Sequence, residues 1–252
     1  MTTSTMMRRA TLCCSVLLAA VVVARAQTPG EAEAHFSTGL THLREGRVDM
    51  AIEEFKKATK SDSKNPYYQK GLGLAYARRG RYDDAIDALK KALEINPYFV
   101  DVRNDLGTVL MLAGRREEGK KEFLTAYGDA MNPFPEFSAQ NLGQAYLEEK
   151  NWPEAASWYR TCLARNEAWS APYLGLADAL EGQGRLEEAL AQLENALQKV
   201  KDDASLSLAL GRRYVKVGRF TDARARFEAA LQKDPGGPVG QAAATALKEL
   251  PK

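Results

Sequence analysis

The sequence is poor in the side chains that carry out most enzyme chemistry. It contains two histidines, His35 and His42, and three cysteines, Cys13, Cys14 and Cys162. The histidines lie seven residues apart with no cysteine beside them, a spacing that does not predict a zinc site. No phosphate-binding glycine loop and no nucleophile-elbow motif is present. We therefore expect no catalytic residue, no metal, no cofactor and no enzymatic activity.

The sequence also lacks an excess of charge of either sign. The formal net charge is +2. Three of the positive charges, Arg8, Arg9 and Arg25, lie in the first 26 residues, which contain no acid, and subtracting these three from +2 leaves −1. Because domains that bind nucleic acid are typically basic, this near-neutral remainder predicts no nucleic-acid partner.

Residues 1–26 have the pattern of a secretory signal peptide. Arg8 and Arg9 precede an apolar run over residues 10–23, and small residues stand at positions −3 and −1 of a cleavage site after Ala26. The run is too short for a comfortable transmembrane helix. We expect export with cleavage after Ala26, and the alternative is an uncleaved anchor.

The cysteines do not predict a disulfide or a lipid anchor. Cys13 and Cys14 precede most of the apolar run, and Leu12 stands where a lipoprotein signal needs a small residue. Lipidation of either cysteine is therefore the less favoured interpretation. Cleavage would leave Cys162 alone, so no internal disulfide can form.

A Gly-Arg dipeptide recurs every 34 residues. It stands at residues 46–47, 80–81, 114–115, 184–185 and 218–219, and Lys150-Asn151 takes the place of a missing copy. A period of this length indicates stacked helix-turn-helix units. After a lead-in at 27–31, we predict six units over 32–65, 66–99, 100–133, 136–169, 170–203 and 204–237. A C-terminal capping helix over 238–252 should then cover the last apolar face.

Each unit repeats a pattern of small and large residues with a mechanical reason. In the second unit, Gly73 is small because the second helix crosses there, and Gly80 ends the first helix in a left-handed conformation. Pro97 stops the second helix. Cys162 stands where the other units have alanine, which predicts a small buried residue. The pattern resembles the tetratricopeptide repeat, which implies an all-α, right-handed superhelical solenoid.

In that repeat the first helices line a concave groove, and we expect it to bind a protein partner. The resemblance places these residues there: Phe36, Leu40, Leu43, Arg44, Tyr67, Lys70, Leu74, Arg78, Asn104, Thr108, Met111, Phe137, Gln140 and Gln144. Units five and six are more charged at the equivalent positions: Asp178, Glu181, Arg212 and Lys216. An apolar strip over several units indicates a partner surface. The N-terminal segment or the curvature of the solenoid could instead cover part of it.

An insertion interrupts the solenoid before the fourth unit. It contains Asn132, Pro133, Phe134 and Pro135. Because a proline disfavours helix at the residue before it, we expect an extended segment. The segment is either a neutral surface loop or a feature that presents Phe134 and Phe137 to a partner.

The order of these features resembles the type IV pilus pilotins. The resemblance rests on six repeats after a signal peptide, the sequence 103–107 opening unit three, and the proline insertion followed by 140–143. It implies a periplasmic protein at the inner face of the outer membrane that assembles or localises a secretin subunit. Many members are lipoproteins, so membrane contact would run only through a lipidated N-terminus. The alternative is a general periplasmic scaffold for cell-envelope or peptidoglycan machinery.

Overall fold

The computed structural model describes residues 29–201 and 203–251, and this part of the chain consists of helices with no strand. The helices are α1 (Pro29–Arg44), α2 (Val48–Ser61), α3 (Pro66–Arg78), α4 (Tyr82–Ile95), α5 (Val100–Leu112), α6 (Arg116–Gly128), α7 (Pro135–Glu148), α8 (Trp152–Leu163), α9 (Ser170–Gly182), α10 (Leu186–Lys199), α11 (Ala204–Lys216), α12 (Phe220–Lys233) and α13 (Pro238–Glu249). The all-α prediction is confirmed. The predicted signal peptide lies outside the described residues, and α1 already includes residues 29–31 of the predicted lead-in.

Consecutive helices form six antiparallel pairs, α1 with α2 through α11 with α12, and each pair stacks on the next. The first helices of neighbouring pairs run parallel and in register, because hydrogen bonds join residues about one period apart. The Tyr68 hydroxyl donates to the Glu33 carboxylate at 3.1 Å, and the Arg78 guanidinium donates to the Leu43 carbonyl at 2.9 Å. The last helix, α13, packs on α11 and α12 and closes the stack.

The Gly-Arg dipeptides form the turn inside each pair. Gly80 has a φ of +80°, and the other four glycines of these dipeptides have similar positive values, as predicted. The arginine that follows precedes the second helix, and in four of the five dipeptides it pairs with an acid one turn later, as Arg81 does with Asp84 at 2.7 Å; Arg47 pairs with Glu45 instead. The guanidinium of Arg81 also lies over the Tyr76 ring, 4.5 Å from its centroid. The dipeptide therefore joins the two helices of a pair as well as reversing the chain.

Small residues let the two helices of a pair approach closely. A Cβ added at Gly73 would lie 2.8 Å from the Leu89 side chain and 3.3 Å from the Ala85 carbonyl oxygen, both on α4. Equivalent positions of the six second helices are fully buried: Ala58, Ala92, Ala126, Cys162, Ala196 and Ala230. The crossing predicted from the residue pattern is confirmed.

The buried apolar side chains divide into two main clusters. One runs from Ala51 to Leu110 in helix pairs one to three, and the other from Ala155 to Leu250 in pairs four to six and α13. Lys120 lies between them in α6 and is only 8% exposed. Its ammonium pairs with Glu117 at 2.7 Å and Glu149 at 2.8 Å. The stack therefore has a polar junction between pairs three and four.

The proline insertion is not the extended segment that we predicted. Residues 129–134 form turns. The Oδ1 atom of Asp129 accepts the backbone N–H of Met131 at 2.9 Å, and the Oδ1 atom of Asn132 accepts that of Phe134 at 2.9 Å. Pro135 is buried and is the first residue of α7, where its fixed φ suits a helix and no N–H is needed. These two side-chain oxygens therefore satisfy backbone N–H groups that would have no protein partner in an extended segment.

Candidate partner-binding surface

The first helices of pairs two and three present an aromatic and charged cluster. Tyr67 is 57% exposed, and its ring packs edge-on against Phe99 with centroids 4.8 Å apart. The Lys70 ammonium lies 5.3 Å from the Phe99 centroid and 3.4 Å from the Asp105 carboxylate. Tyr67 therefore offers a free aromatic face, while Lys70 is held between an aromatic ring and an acid.

Asp105 is the most perturbed acid of this cluster. Burial raises the pKa of its carboxyl, and the nearby Lys70 charge lowers it by less. Since Asp101 also lies close to Lys70, with the two charged groups 3.8 Å apart, this part of the groove holds two acids against one base. A basic or hydrogen-bond-donating group of a partner would fit here better than a carboxylate.

Several predicted groove residues serve the stack rather than a free surface. The Phe36 ring packs on Phe55 and Tyr68, with centroids 5.5 and 5.1 Å away. Asn104 accepts a hydrogen bond from the Ser138 hydroxyl at 2.9 Å. These two side chains join neighbouring helix pairs, so their partners are internal.

The remaining predicted residues of this half differ in exposure. Leu74 and Met111 are half-buried, whereas Thr108 is exposed. At the N-terminal end, a shallow cavity of 480 Å³ is lined by Ser37, Leu40, Leu43, Arg44 and Arg78. Four predicted groove residues are therefore brought together around one opening.

Aromatic side chains also gather where α7 begins. Phe134 and Phe137 are 56% and 51% exposed, and their ring centroids lie 6.1 Å apart. Phe137 also packs edge-on against Trp169 at 5.2 Å, across the boundary between pairs four and five. The insertion thus presents both phenylalanines on the surface.

The two predicted glutamines of α7 lie further along the groove. Gln144 is exposed, and its amide oxygen accepts from the Tyr159 hydroxyl at 3.2 Å. The amide oxygen of Gln140 is buried and has no hydrogen-bond partner within residues 29–201 and 203–251. Gln140 is therefore an unsatisfied acceptor inside the helix stack and not a free group on the groove surface.

A larger cavity than the one at the N-terminal end lies at the other end, where the sequence did not predict the main binding surface. Its volume is 1340 Å³, and α7, α9, α11 and α13 form its walls. Asp178, Glu181, Arg212 and Lys216 line it, as their repeat positions predict, together with Leu174, Leu208, Val215 and Arg213. Sequence reasoning missed this cavity because α13 is not part of the repeat, and its placement forms the end wall.

Arg213 was missed for another reason. It is 5% exposed and pairs with Asp178 at 2.5 Å and with Glu181 at 3.2 Å. The equivalent residue of α1 is the partly buried Thr41, and those of α3, α5, α7 and α9 are small, buried and apolar: Ala75, Val109, Ala145 and Ala179. Comparing the units position by position would have shown a charge at a core position.

The histidines and Cys162 have structural roles. The His35 ring nitrogen lies 2.6 Å from the Glu54 carboxylate, and Arg47 donates to His42 at 3.0 Å. Within the described part of the chain, no group of His, Cys, Asp and Glu could hold a metal. Cys162 is fully buried, and burial raises the pKa of its thiol to about 12.

Among the helices of residues 29–201 and 203–251, none is both long enough and apolar enough to cross a membrane. The candidate surface is therefore a groove with an aromatic rim over pairs one to four and a deep cavity over pairs four to six. Both are formed by the first helices.

Known protein structures with the same arrangement of helices include two type IV pilus proteins. The pilF protein of Pseudomonas aeruginosa is 21% identical, with a TM-score of 0.65 over 86% of this chain and 98% of that one. PilW, described as a widely conserved type IV pilus biogenesis factor, is 19% identical, with a TM-score of 0.68 over 84% and 98%. At these identities the likeness establishes the fold.

A third structure and the family comparisons agree with this fold. YrrB, described as a TPR protein with an unusual peptide-binding site, is 19% identical, with a TM-score of 0.52 over 78% of this chain and 99% of that one. No curated protein sequence matches the chain significantly. Models of the tetratricopeptide repeat match residues 17–66, 66–99, 138–168 and 180–247. With its helix pairs, glycine turns and alanine crossings, the chain belongs to the tetratricopeptide-repeat proteins.

Proposed function

We propose that this protein is an assembly factor of the type IV pilus, of the pilotin class, which binds a secretin subunit. The observation that carries the proposal is the similarity to pilF and PilW, because it extends over 98% of each of those chains. A match of this extent covers several consecutive repeats and not only one. The proline insertion ahead of α7 agrees with the same assignment.

The groove of pairs one to four supplies the physical basis for binding. Leu40, Tyr67 and Phe137 expose 40%, 57% and 51% of their surface on first helices. Aromatic and aliphatic groups of this kind favour burial against an apolar partner surface. A secretin subunit exposes such surface before its neighbours join the ring. The groove would cover that surface until the neighbouring subunit replaces it.

The proposed site of action is the periplasm, at the inner face of the outer membrane. This part of the proposal rests on the signal-peptide pattern of residues 1–26. Retention at the membrane would come from the bound secretin, or from a lipid on Cys13 or Cys14. Mass spectrometry of the mature N-terminus distinguishes cleavage after Ala26 from lipidation.

Co-purification with a secretin subunit tests the proposal. We expect the tagged chain to retain the subunit, and the double variant Tyr67→Ala and Phe137→Ala to retain at least about 10-fold less, as expected when central aromatic contacts are lost. Leu124→Ala is the matched control, because Leu124 is 44% exposed but lies on α6, a second helix.

A deletion strain gives an independent readout. Heat-resistant secretin oligomers should be lost and should return with the wild-type gene. Unchanged oligomers in the deletion strain would contradict the proposal. A purification that returns cell-wall enzymes and no secretin would support the general envelope scaffold instead.

A further inference from the structure

The cavity between α7, α9, α11 and α13 has an apolar floor. Leu174 from α9 and Leu208 and Val215 from α11 line it, and Val215 is 36% exposed. With a volume of 1340 Å³ the cavity has room for several side chains of a peptide. Burial of apolar groups on this floor would supply the favourable free energy of binding.

Most charged groups around this floor neutralise one another. Arg213 pairs with both Asp178 and Glu181, and Lys216 pairs with Glu181. Glu148, at the α7 side, accepts a hydrogen bond from Gln144 at 3.0 Å. These side chains therefore have partners inside the protein.

Arg212 differs from these residues. It lines the cavity and is exposed, and it has no ion pair or hydrogen bond within residues 29–201 and 203–251. A partner that covers the floor would remove water from its guanidinium, which is unfavourable unless an acceptor replaces the water. A carboxylate can accept two parallel N–H bonds from a guanidinium and compensates this loss best.

We propose that this cavity is a second binding site, for a peptide segment in which an acidic residue stands next to apolar residues. The apolar side chains lie on Leu174, Leu208 and Val215, and the carboxylate pairs with Arg212. The wall formed by α13 limits the segment at one end, where the exposed Glu249 favours a basic or uncharged group. The site is separate from the aromatic surface of pairs one to four.

Selection from a phage-displayed library of random 12-residue peptides, with the full chain immobilised, tests this site. We expect the selected peptides to combine Asp or Glu with Leu, Ile, Val or Phe. Synthetic copies should bind Arg212→Glu at least about 10-fold more weakly, as expected for reversal of one charge in a desolvated contact. Repeating the selection on Arg212→Glu should yield Lys or Arg in place of the acid.

Matched variants distinguish binding in this cavity from a general effect of charge and from binding at the aromatic surface. Arg160→Glu makes the same change of charge on the exposed face of α8, outside the cavity, and should leave peptide affinity unchanged. Val215→Gln should weaken binding through the floor, with an unchanged circular dichroism spectrum. The proposal is overturned if no peptide is enriched, if the peptides lack an acid, or if their affinity responds to Tyr67→Ala and not to Arg212→Glu. Tyr67→Ala and Arg212→Glu test the two surfaces separately. A negative result for the cavity therefore does not change the interpretation of the secretin experiment.

Discussion

At the scale of single residues, the φ angle in the turn of each helix pair determines which amino acid is favoured there. Five turns have glycine at a positive φ, between 75° and 80°. The fourth has Lys150, with a φ of 58°, the one non-glycine residue in this region among those described. A side chain there brings Cβ close to the following carbonyl oxygen, so lysine occupies a strained conformation.

Replacing Lys150 with glycine should therefore stabilise the protein. Relief of the left-handed strain is worth roughly 1–2 kcal/mol, and the larger unfolded-state entropy of glycine offsets part of it. We expect a net gain of about 1 kcal/mol in the free energy of urea unfolding. Lys121→Gly, at an exposed site inside α6, is the control and should lose about 1 kcal/mol. A lower urea midpoint for Lys150→Gly would contradict the assignment of strain.

Cys162 should be unreactive in the folded protein. Its thiol is fully buried, and its pKa of about 12 lies above the ordinary value, so almost no thiolate exists at pH 8. With Cys13 and Cys14 replaced by serine, an aromatic disulfide reagent should modify the chain only after addition of denaturant. Modification of the native chain at pH 8 at a rate close to that of the denatured chain would show an accessible thiol instead.

The same pKa shift predicts a loss of stability at alkaline pH. Because the folded-state pKa is higher than the unfolded-state value, the stability from this group is complete below about pH 8.5. It decreases as the pH rises from there toward 12, since the unfolded chain ionises first. Cys162→Ala should lose less stability than the parent chain between pH 8.5 and 11 in urea unfolding. Parallel curves for the two proteins would show that ionisation of Cys162 does not contribute.

At the scale of secondary-structure elements, α13 differs from the twelve helices before it. Within residues 29–201 and 203–251 no second helix follows it, and a side chain from the preceding helix pair provides its N-terminal hydrogen bonds. One oxygen of Asp234 accepts the N–H groups of Val239 and Gly240 at 3.0 and 3.1 Å. These amides have no partner inside the helix, and the negative charge also favours a helix N-terminus. Asp234 thereby fixes α13, which forms the end wall of the deep cavity, against α12.

Loss of this carboxylate should loosen α13. We expect Asp234→Ala to lower the free energy of unfolding by about 1 kcal/mol, the usual effect of removing a helix cap. Asp234→Asn keeps an acceptor oxygen and should lose less than half of that. Hydrogen exchange should increase in α13 and stay constant in α3. Equal effects of the two substitutions would indicate that charge, rather than hydrogen bonding, is what matters.

At the scale of the whole molecule, Lys120 places a charged group among the buried residues at the junction of pairs three and four. Ile52, Ile86, Ala156 and Leu190 occupy the equivalent positions in other helix pairs and are almost fully buried. A lysine with two acids replaces this apolar contact between pairs three and four. Since a solenoid is stabilised by contacts between neighbouring units, a weaker contact permits the two halves to unfold separately.

We therefore expect two blocks in hydrogen exchange at intermediate urea. Amides of α2–α5 should lose protection together, and amides of α8–α12 together at a different urea concentration. The double variant Lys120→Leu and Glu149→Gln, which restores an apolar contact without an unpaired acid, should bring the two transitions closer. Lys121→Leu, at the neighbouring exposed position of α6, should leave the separation of the two transitions unchanged. One shared transition in the parent protein would contradict the division.

The sequence predicted the regular part of this structure, and also a C-terminal capping helix, but not its exceptions. The turns at Gly80 and its equivalents and the crossing at Gly73 follow from local backbone sterics, which recur in every unit. Lys120 and Arg213 were not predicted to be buried, because a charged residue on a helix ordinarily faces water. Their burial depends on acids from neighbouring helices. Likewise, the deep cavity depends on where α13 docks, which no periodicity determines.

The helices of this stack contact only helices that are close to them in the sequence, and this affects how the protein folds. In the described chain, every pair of helices in contact is separated by at most one intervening helix. Contact order is therefore low, and each new helix finds its partners among those made just before it. A polypeptide passing N-terminus first through a narrow translocation pore could build the stack vectorially, pair after pair, with α1 and α2 as template for the rest. In that order α13 would be the last of the described helices to form, and the deep cavity would form with it.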